Sequence, residues 1–476
     1  MNKESFNILF LITLDTVAFY TSFTLAYFTR KLLNAFPLDI VQFNISYSAL
    51  LKLWWIPLIF ILFIAYEQLY VKRYPFWDET RELLKALTIS VVVVFAVVSL
   101  GKKSESISRL TVLMLWGYSI FMFPLFRYFG KKLLYKLGVW RRNLLILGAG
   151  RAGVGTAKGL QGDEHLGYEI VGFLDDYKKG SIEVGDRSIP VLGKISKFKD
   201  IIRDKNVATV VIAIPSMDKE RLSALANNVH KYVKRIFIVP DLKGIALLNS
   251  ELYHLFVQQL FLIKVVNNFD SRLNQILKRS FDLLLSLFML PFLLPIMGFI
   301  ALLIKLDSPG SILFVQERLG RNGKVFRCYK FRTMYENSDE LLKGFLENNP
   351  ELKTEWNRYK KLKGYDPRVT KIGKFLRKTS LDELPQIFNV LKGEMSLVGP
   401  RPYLPRERED MEGYIDTILM TRPGITGLWQ ISGRNKLTFK DRLKLDTWYV
   451  LNWSLWLDVV ILFKTIKVVF KREGAY

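Results

Sequence analysis

Lys378 to Pro402 reads KTSLDELPQIFNVLKGEMSLVGPRP, and the chain on either side makes chemical sense around it. Adjacent acids, Asp382 and Glu383, stand where a short helix is expected to begin, with Ser380 as its N-cap, Pro385 in its first turn and Gly393 as its stop. A Gly-Pro-Arg-Pro turn follows at Gly399 to Pro402. Ser380-x-x-Glu383 also fits a capping box, which would explain the acids without any chemistry. The surrounding cations favour a chemical reading. Arg377 precedes the acids, Arg401 follows them, and Lys330 and Arg332 stand upstream in YKFRTM, with Arg318 a weaker candidate of the same kind. Carboxylates beside fixed cations and free N–H groups suit a magnesium-bound polyphosphate.

Composition directs this chemistry to a membrane surface. The 476 residues are half apolar and carry a formal charge of +25, a combination that suits an anionic bilayer. No zinc-finger spacing or RNP-like segment points to nucleic acid. The single cysteine, Cys328, excludes an intramolecular disulfide, and His165, His230 and His254 are too scattered for a histidine-rich metal site. Apolar runs near 6–29, 48–70, 84–100 and 110–129 are each about long enough for a hydrocarbon core of roughly 30 Å. The first is read as a retained span, not a cleaved leader. Arg127, Lys131, Lys132, Lys136, Arg141 and Arg142 after the fourth should hold that end, and with it the N-terminus, in the cytoplasm.

Asn143 to Leu147 reads as a buried strand leading into Gly148, Gly150 and Gly153, the spacing of a dinucleotide-binding turn. A second strand ends at Asp175 and Asp176, and further strands are expected at 207–214 and 235–239. An α/β domain follows. Whether it holds a nucleotide or serves as scaffold stays open. Residues 281–304 form a fifth apolar run, with basic residues on both flanks and Pro291 and Pro295 in its middle. Those features favour a broken, re-entrant hairpin dipping into one leaflet, with a kinked span as the alternative. The tail 453–471, interrupted by Asp458, Lys464 and Lys467, suits a helix lying in the interface. Asp458 is read as either a helix cap or a support for the site.

KRSFD (278–282), KLDSPGSILFVQERLGRNGKVFRCYKFRTM (305–334), DPRVTKIGKFLRKTSLDELPQIFNVLKGEMSLVGPRP (366–402) and RPGITGLWQISGRN (422–435) resemble the bacterial polyprenyl-phosphate glycosyl-1-phosphate transferases. PFWDE, GVWRRNLLILG and the closing KREGAY are similar to the large undecaprenyl-phosphate galactose phosphotransferases in particular. The resemblance implies an α plus α/β membrane protein. Four transmembrane helices would occupy 1–135 and a Rossmann-like cytoplasmic domain 136–268. A mainly helical monotopic catalytic domain would occupy 269–476, with its re-entrant helix at 281–304. It further implies transfer of a hexose-1-phosphate, galactose first and glucose as alternative, from a UDP-sugar to undecaprenyl phosphate, with release of UMP. This is a first membrane step in O-antigen, capsule or exopolysaccharide synthesis. Asp382 would be the nucleophile of a ping-pong reaction, and Glu383 with Asp382 would hold magnesium, or manganese in its place. Arg377 and Arg401 would grip phosphate, and a homodimer at the cytoplasmic face of the bacterial inner membrane is expected, with no nucleic-acid partner. A rival reading makes Gly148, Gly150 and Gly153 the centre of a membrane-tethered NAD-dependent nucleotide-sugar dehydrogenase or dehydratase. A further one makes the chain a non-enzymatic assembly scaffold.

Overall fold

The computed structural model describes residues 3–36, 42–100, 108–242, 248, 250–255, 260–349, 366–433 and 437–471. Its contacts divide the chain into two compact units, Met1–Lys243 and Gly244–Tyr476.

The first unit opens with helices α1 (Lys3–Leu32), α2 (Tyr47–Leu51), α3 (Trp55–Tyr66), α4 (Phe76–Leu100) and α5 (Arg109–Lys136). α1, α4 and α5 are long and apolar enough to cross a membrane. The second apolar run is helical too but shorter than expected: α3 has 12 residues, about 18 Å of helix. Pro57, which has no N–H to donate, fits only the first turn and so fixes where α3 begins. Arg127 and Lys131 are not the solvated flanking cations that the charge pattern suggested. Arg127 makes a two-bond fork to Asp15 (2.6 and 3.0 Å) and donates to Glu79 at 2.5 Å. Lys131 reaches the other Glu79 oxygen at 2.6 Å, where His165 also lies against it. All five side chains are buried. His165 lies just before the second strand of the sheet described next, so the cluster ties α1, α4 and α5 to it.

That sheet has six strands, β1 (Arg142–Leu147), β2 (Tyr168–Leu174), β3 (Ser181–Val184), β4 (Arg187–Gly193), β5 (Thr209–Ile212) and β6 (Arg235–Ile238). Their spatial order is β3-β4-β2-β1-β5-β6, parallel except for the β3–β4 pair. Helices α6 (Arg151–Gln161), α7 (Phe198–Asp204) and α8 (Lys219–His230) accompany it. β1 is buried on both faces, Leu144 and Ile146 in one core and Leu145 and Leu147 in the other, as expected of a central parallel strand. Gly148 has φ +97°, and a Cβ there would lie 2.8 Å from the Ala213 carbonyl oxygen. The glycine turn is closed from within. Asp175 accepts the Ala149 N–H at 2.7 Å, and Lys178 Nζ donates to the Ala149 carbonyl at 2.8 Å. Burial alone would raise the Asp175 carboxyl, but N–H groups of Ala149, Lys178 and Tyr177 hold it below its ordinary value. Asp175, at the end of the second strand, thus caps the glycine turn.

The second unit begins with the hairpin β7 (Glu251–Leu255) and β8 (Leu260–Lys264), followed by α9 (Arg272–Asp307). α9 is one continuous helix of 36 residues with Pro291 and Pro295 inside it, not two helices separated by a break. Both of its ends meet the same folded core. Lys278 bonds Asp458 and Val398 near one end, and Asp307 accepts the Ile372 N–H at the other. The hairpin β9 (Leu313–Leu319) and β10 (Val325–Phe331) comes next, then α10 (Ser338–Glu347) and α11 (Lys371–Thr379). The chain continues through α12 (Gln386–Lys392), β11 (Ser396–Val398), α13 (Ile415–Ile418) and β12 (Gly424–Thr426). It ends in α14 (Leu428–Ile431), α15 (Phe439–Leu451) and α16 (Leu455–Lys471). Residues 350–365, which continue the polar connection after β10, and the 472–476 ending lie outside the described residues.

Arg127→Leu would strand Asp15 and leave Glu79 with only Lys131 and His165. Removing one partner of a buried ionic cluster costs about 3–5 kcal/mol. A clear drop in unfolding temperature of the detergent-purified full chain is therefore expected, whereas Lys132→Leu should leave it nearly unchanged.

Candidate active site

The acid pair is presented differently from the helix start expected of it. α11 is capped at its start by Thr370, whose side chain accepts the Gly373 N–H at 2.9 Å. It is closed at its end by Ser380 in the left-handed conformation, φ +58°. Ser380 is thus the C-terminal stop of α11 as well as the N-cap position of the turn that follows, but its side chain makes no capping bond there and no capping box forms. Asp382 and Glu383 sit on a single 3₁₀ turn, Leu381–Glu383, between α11 and α12, and Gly393 (φ +84°) ends α12 as anticipated. The turn leaves the Glu383 carboxylate free to point away from its own backbone. Lys330 Nζ on β10 meets it at 2.7 Å.

Gly373 explains how α11 comes so close to β10. A Cβ there would lie 2.1 Å from the Thr333 carbonyl oxygen, so only glycine permits the approach. That contact brings Arg377, in the last turn of α11, to donate through Nε to the Thr333 hydroxyl at 2.9 Å. Burial, then the charge of Glu383, pushes the Asp382 carboxyl up to about 6, against the opposing pull of Lys330 and Arg377. Burial would lower the Lys330 ammonium, but Glu383 and Asp382 outweigh it and raise it. Lys330 therefore stays charged. Cys328 is no competing nucleophile, because burial pushes its thiol up to about 11.

The turn Gly399–Pro402 is built by a crossing of backbones. β11 runs parallel to β12, and the Gly399 N–H donates to Thr426 while the Gly424 N–H donates to Pro400. A Cβ on Gly424 would come within 2.0 Å of Gly399 N, and one on Gly427 within 2.2 Å of Gly399 O. Beyond the crossing, Asp446 accepts the Arg401 N–H at 3.0 Å and the Tyr403 hydroxyl at 2.8 Å. The Arg401 guanidinium lies 5.8 Å from the Trp429 ring centre, with Arg442 at 6.0 Å from the same ring. Arg318 donates to Pro402 O and Gln316, and both Glu383 and Arg401 lie within electrostatic range of it. Arg332 is not part of this cluster. Its guanidinium is buried and donates to the Ser308 and Pro309 carbonyls, closing the C-terminal end of α9.

Asp458 is a support, not an exposed cap. It is fully buried and accepts from Lys278 Nζ (2.6 Å), Tyr449 Oη (2.7 Å) and Trp453 Nε1 (3.1 Å). Lys278 also donates to Val398 O at 3.0 Å and Asp282 at 3.3 Å. Asp446 went unnoticed in the sequence. Its signal was there: it lies on the buried face of α15 with Leu443 and Val450 at i−3 and i+4. Among the described residues no group of three or more His, Cys, Asp or Glu could hold a metal ion.

Residues 273–472 match the model of the bacterial sugar transferase family, and 65–240 match that of a CoA-binding domain. The undecaprenyl-phosphate galactose phosphotransferase of Salmonella typhimurium is 39% identical over 86% of this chain and 84% of its own length. The chain belongs to the bacterial sugar transferase family, in its large membrane form. The UDP-galactose-lipid carrier transferase of Erwinia amylovora is 38% identical over 86% of this chain and 84% of its own. The UDP-glucose:undecaprenyl-phosphate glucose-1-phosphate transferase of Escherichia coli is 32% identical over 71% and 70%. This transferase is accordingly an enzyme of sugar-phosphate transfer, and the scaffold and dehydrogenase readings fall away.

Lys278→Met in the transferase would leave Asp458 and Asp282 buried without their cation, at a cost of about 3–5 kcal/mol. The full chain in detergent should unfold at a clearly lower temperature. A double variant, Lys278→Met with Asp458→Leu, should recover part of the loss.

Proposed function

We propose that the transferase moves a hexose-1-phosphate, galactose-1-phosphate in the first instance, from a UDP-sugar to undecaprenyl phosphate. UMP is released and the lipid diphosphate-linked sugar remains. The observation that carries this reading is Asp382: a half-buried carboxylate raised to about 6, flanked by Glu383, Lys330 and Arg377. Such a group is ionised at neutral pH yet more basic than an ordinary aspartate. That suits a nucleophile working at phosphorus.

An Asp382 oxygen attacks the sugar-linked phosphorus of the donor. The bond from that phosphorus to the bridging oxygen breaks, and UMP leaves with the bond's electron pair. An acyl phosphosugar on Asp382 remains. A phosphate oxygen of the acceptor then attacks the same phosphorus and returns the carboxylate. Lys330, held by Glu383, and Arg377 supply fixed positive charge at the reacting phosphate, and Arg401 and Arg318 extend it toward the second phosphate of the donor. Two adjacent carboxylates completed by diphosphate oxygens fit a magnesium ion, or manganese, which takes few protein ligands. Glu383 and Asp382 would hold it, and when bound it would neutralise charge on the diphosphate.

The reaction needs a cytoplasmic nucleotide sugar and a lipid head group at one surface. α9 supports that arrangement. From Lys278 to Asp307 a straight helix would extend about 44 Å, more than a hydrocarbon core, yet both ends bond to one folded core. With Pro291 and Pro295 bending it, the helix enters and leaves at the cytoplasmic face of the inner membrane, and the tail helix α16 lies along that face. A homodimer is part of this reading, as is galactose over glucose, which the higher identity to galactose-named relatives favours.

Incubating the purified protein with labelled UDP-galactose or UDP-glucose, without lipid, should add one phosphohexose to Asp382, visible in intact-protein mass spectrometry. Asp382→Asn should form no adduct and release UMP at least roughly 10³-fold more slowly; release at the parent rate would remove Asp382 as nucleophile. UMP release should decline as pH falls through about 6, where the Asp382 carboxyl takes up its proton. Because Lys330 opposes that protonation, Lys330→Met should move the decline to higher pH.

A further inference from the structure

The second unit contains an elongated cavity of about 530 Å³, inside the range of roughly 300–1,000 Å³ that holds small ligands. One wall is a stripe of α9 at helical spacing, including Leu285, Met289 and Leu293; the facing wall is α16, through Leu462, Phe463 and Ile466. Polar groups are few and include Ser380, Glu383, Thr426, Gln430 and Thr465. Thr426 and Thr465 bond one another at 2.7 Å, and the Gln430 amide donates to Ile425 O at 2.8 Å. Among the described residues Glu383 is thus the one charged residue on the lining, and it is the neighbour of Asp382. The buried bonds of Lys278 to Asp458 and Asp282 fix the separation of the walls, since Asp282 directly follows Phe281 and Asp458 directly precedes Val459, both of them lining residues. α9 also exposes Leu284, Leu287, Phe288 and Phe292, so hydrocarbon suits this helix beyond the cavity lining as well.

A ligand for such a space is a hydrocarbon chain with an anionic head at one end. A sugar or a nucleobase would lose its water there and find few partners for its hydroxyl and amide groups. The donor's polar parts have a different place to bind, among Arg318, Arg401 and Trp429. We propose that the cavity seats the head-proximal isoprene units of the polyprenyl phosphate acceptor, so that the α9 and α16 walls select the lipid and direct its phosphate at Asp382. This rests on the proposed reaction. It adds that the two half-reactions draw on different surfaces: donor cleavage uses the cations, and acceptor capture uses the apolar walls.

The test fills the cavity without changing its charge, using Leu285→Trp on one wall and Leu462→Trp on the other, in the full chain in mixed micelles. Lipid-free UMP release and steady-state turnover with undecaprenyl phosphate are measured side by side, with a two-isoprene prenyl phosphate as a short acceptor. In each variant the apparent KM for undecaprenyl phosphate should rise at least about tenfold. Lipid-free UMP release should stay within about twofold of the parent. The parent should use the short acceptor, and both variants should lose it. An unchanged acceptor KM in both variants would leave the cavity to bulk phospholipid and overturn the proposal. Loss of lipid-free UMP release in the variants would assign the cavity to the donor and overturn it as well. Failure of the parent itself to release UMP without lipid would instead sink the covalent reaction, a result readable apart from the variants.

Discussion

One ammonium group holds the catalytic unit in register. Lys278 Nζ has three protons and three acceptors: Asp458, Asp282 and the Val398 carbonyl. Asp458 is satisfied in turn by Tyr449 and Trp453, so a charge that would be costly alone is fully bonded. Each acceptor stands at a junction. Asp282 begins the apolar stretch of α9, Asp458 begins the apolar face of α16, and Val398 is the last residue before the turn that carries Arg401. A single buried contact therefore sets the spacing of the cavity walls and the position of the phosphate-facing turn.

Two aspartates, Asp446 buried and Asp382 half-buried, show how environment divides labour. Burial pushes Asp446 up to about 7 and Asp382 up to about 6. Asp446 meets a backbone N–H and a tyrosine hydroxyl, so it organises the Arg401 turn. Asp382 lies instead within reach of Lys330 and Arg377, which favour its ionised form and would also draw an incoming diphosphate. The global charge of +25 attracts anions in general. The local arrangement decides which carboxylate they meet.

The strands of the α/β sheet and the apolar helices were legible because each is a local property of periodicity. So was the presence of an acid pair among cations. The use of each polar group was not, because the competing partner came from far away in the chain. Ser380 looked like an N-cap, yet α11, extending to Thr379, needed a left-handed residue to end on. Arg332 looked like a phosphate ligand, but the end of α9, more than twenty residues upstream, leaves carbonyls that it satisfies. Gly148, Gly150 and Gly153 were legible as a turn, but the Asp175 carboxylate that bonds the Ala149 N–H within it was not. Gly399, Gly424 and Gly427 stood in quoted motifs, but their packing against one another was not legible, since a backbone crossing has no sequence period.

The shape of α9 follows from the same constraint. Transfer between a polar donor and a hydrocarbon acceptor requires one site with two solvents. Between Lys278 and Asp307 this helix is apolar toward the cavity, as at Leu285 and Leu293, and apolar on its exposed surface, as at Leu284 and Leu287. A helix apolar all round reads as a membrane span by hydropathy alone. Its polar ends add a second kind of information: Lys278 and Asp307 bond the same folded core. Hydropathy records what surrounds the middle of α9; the bonding of its ends is what supports the proposal that the chain returns to one face.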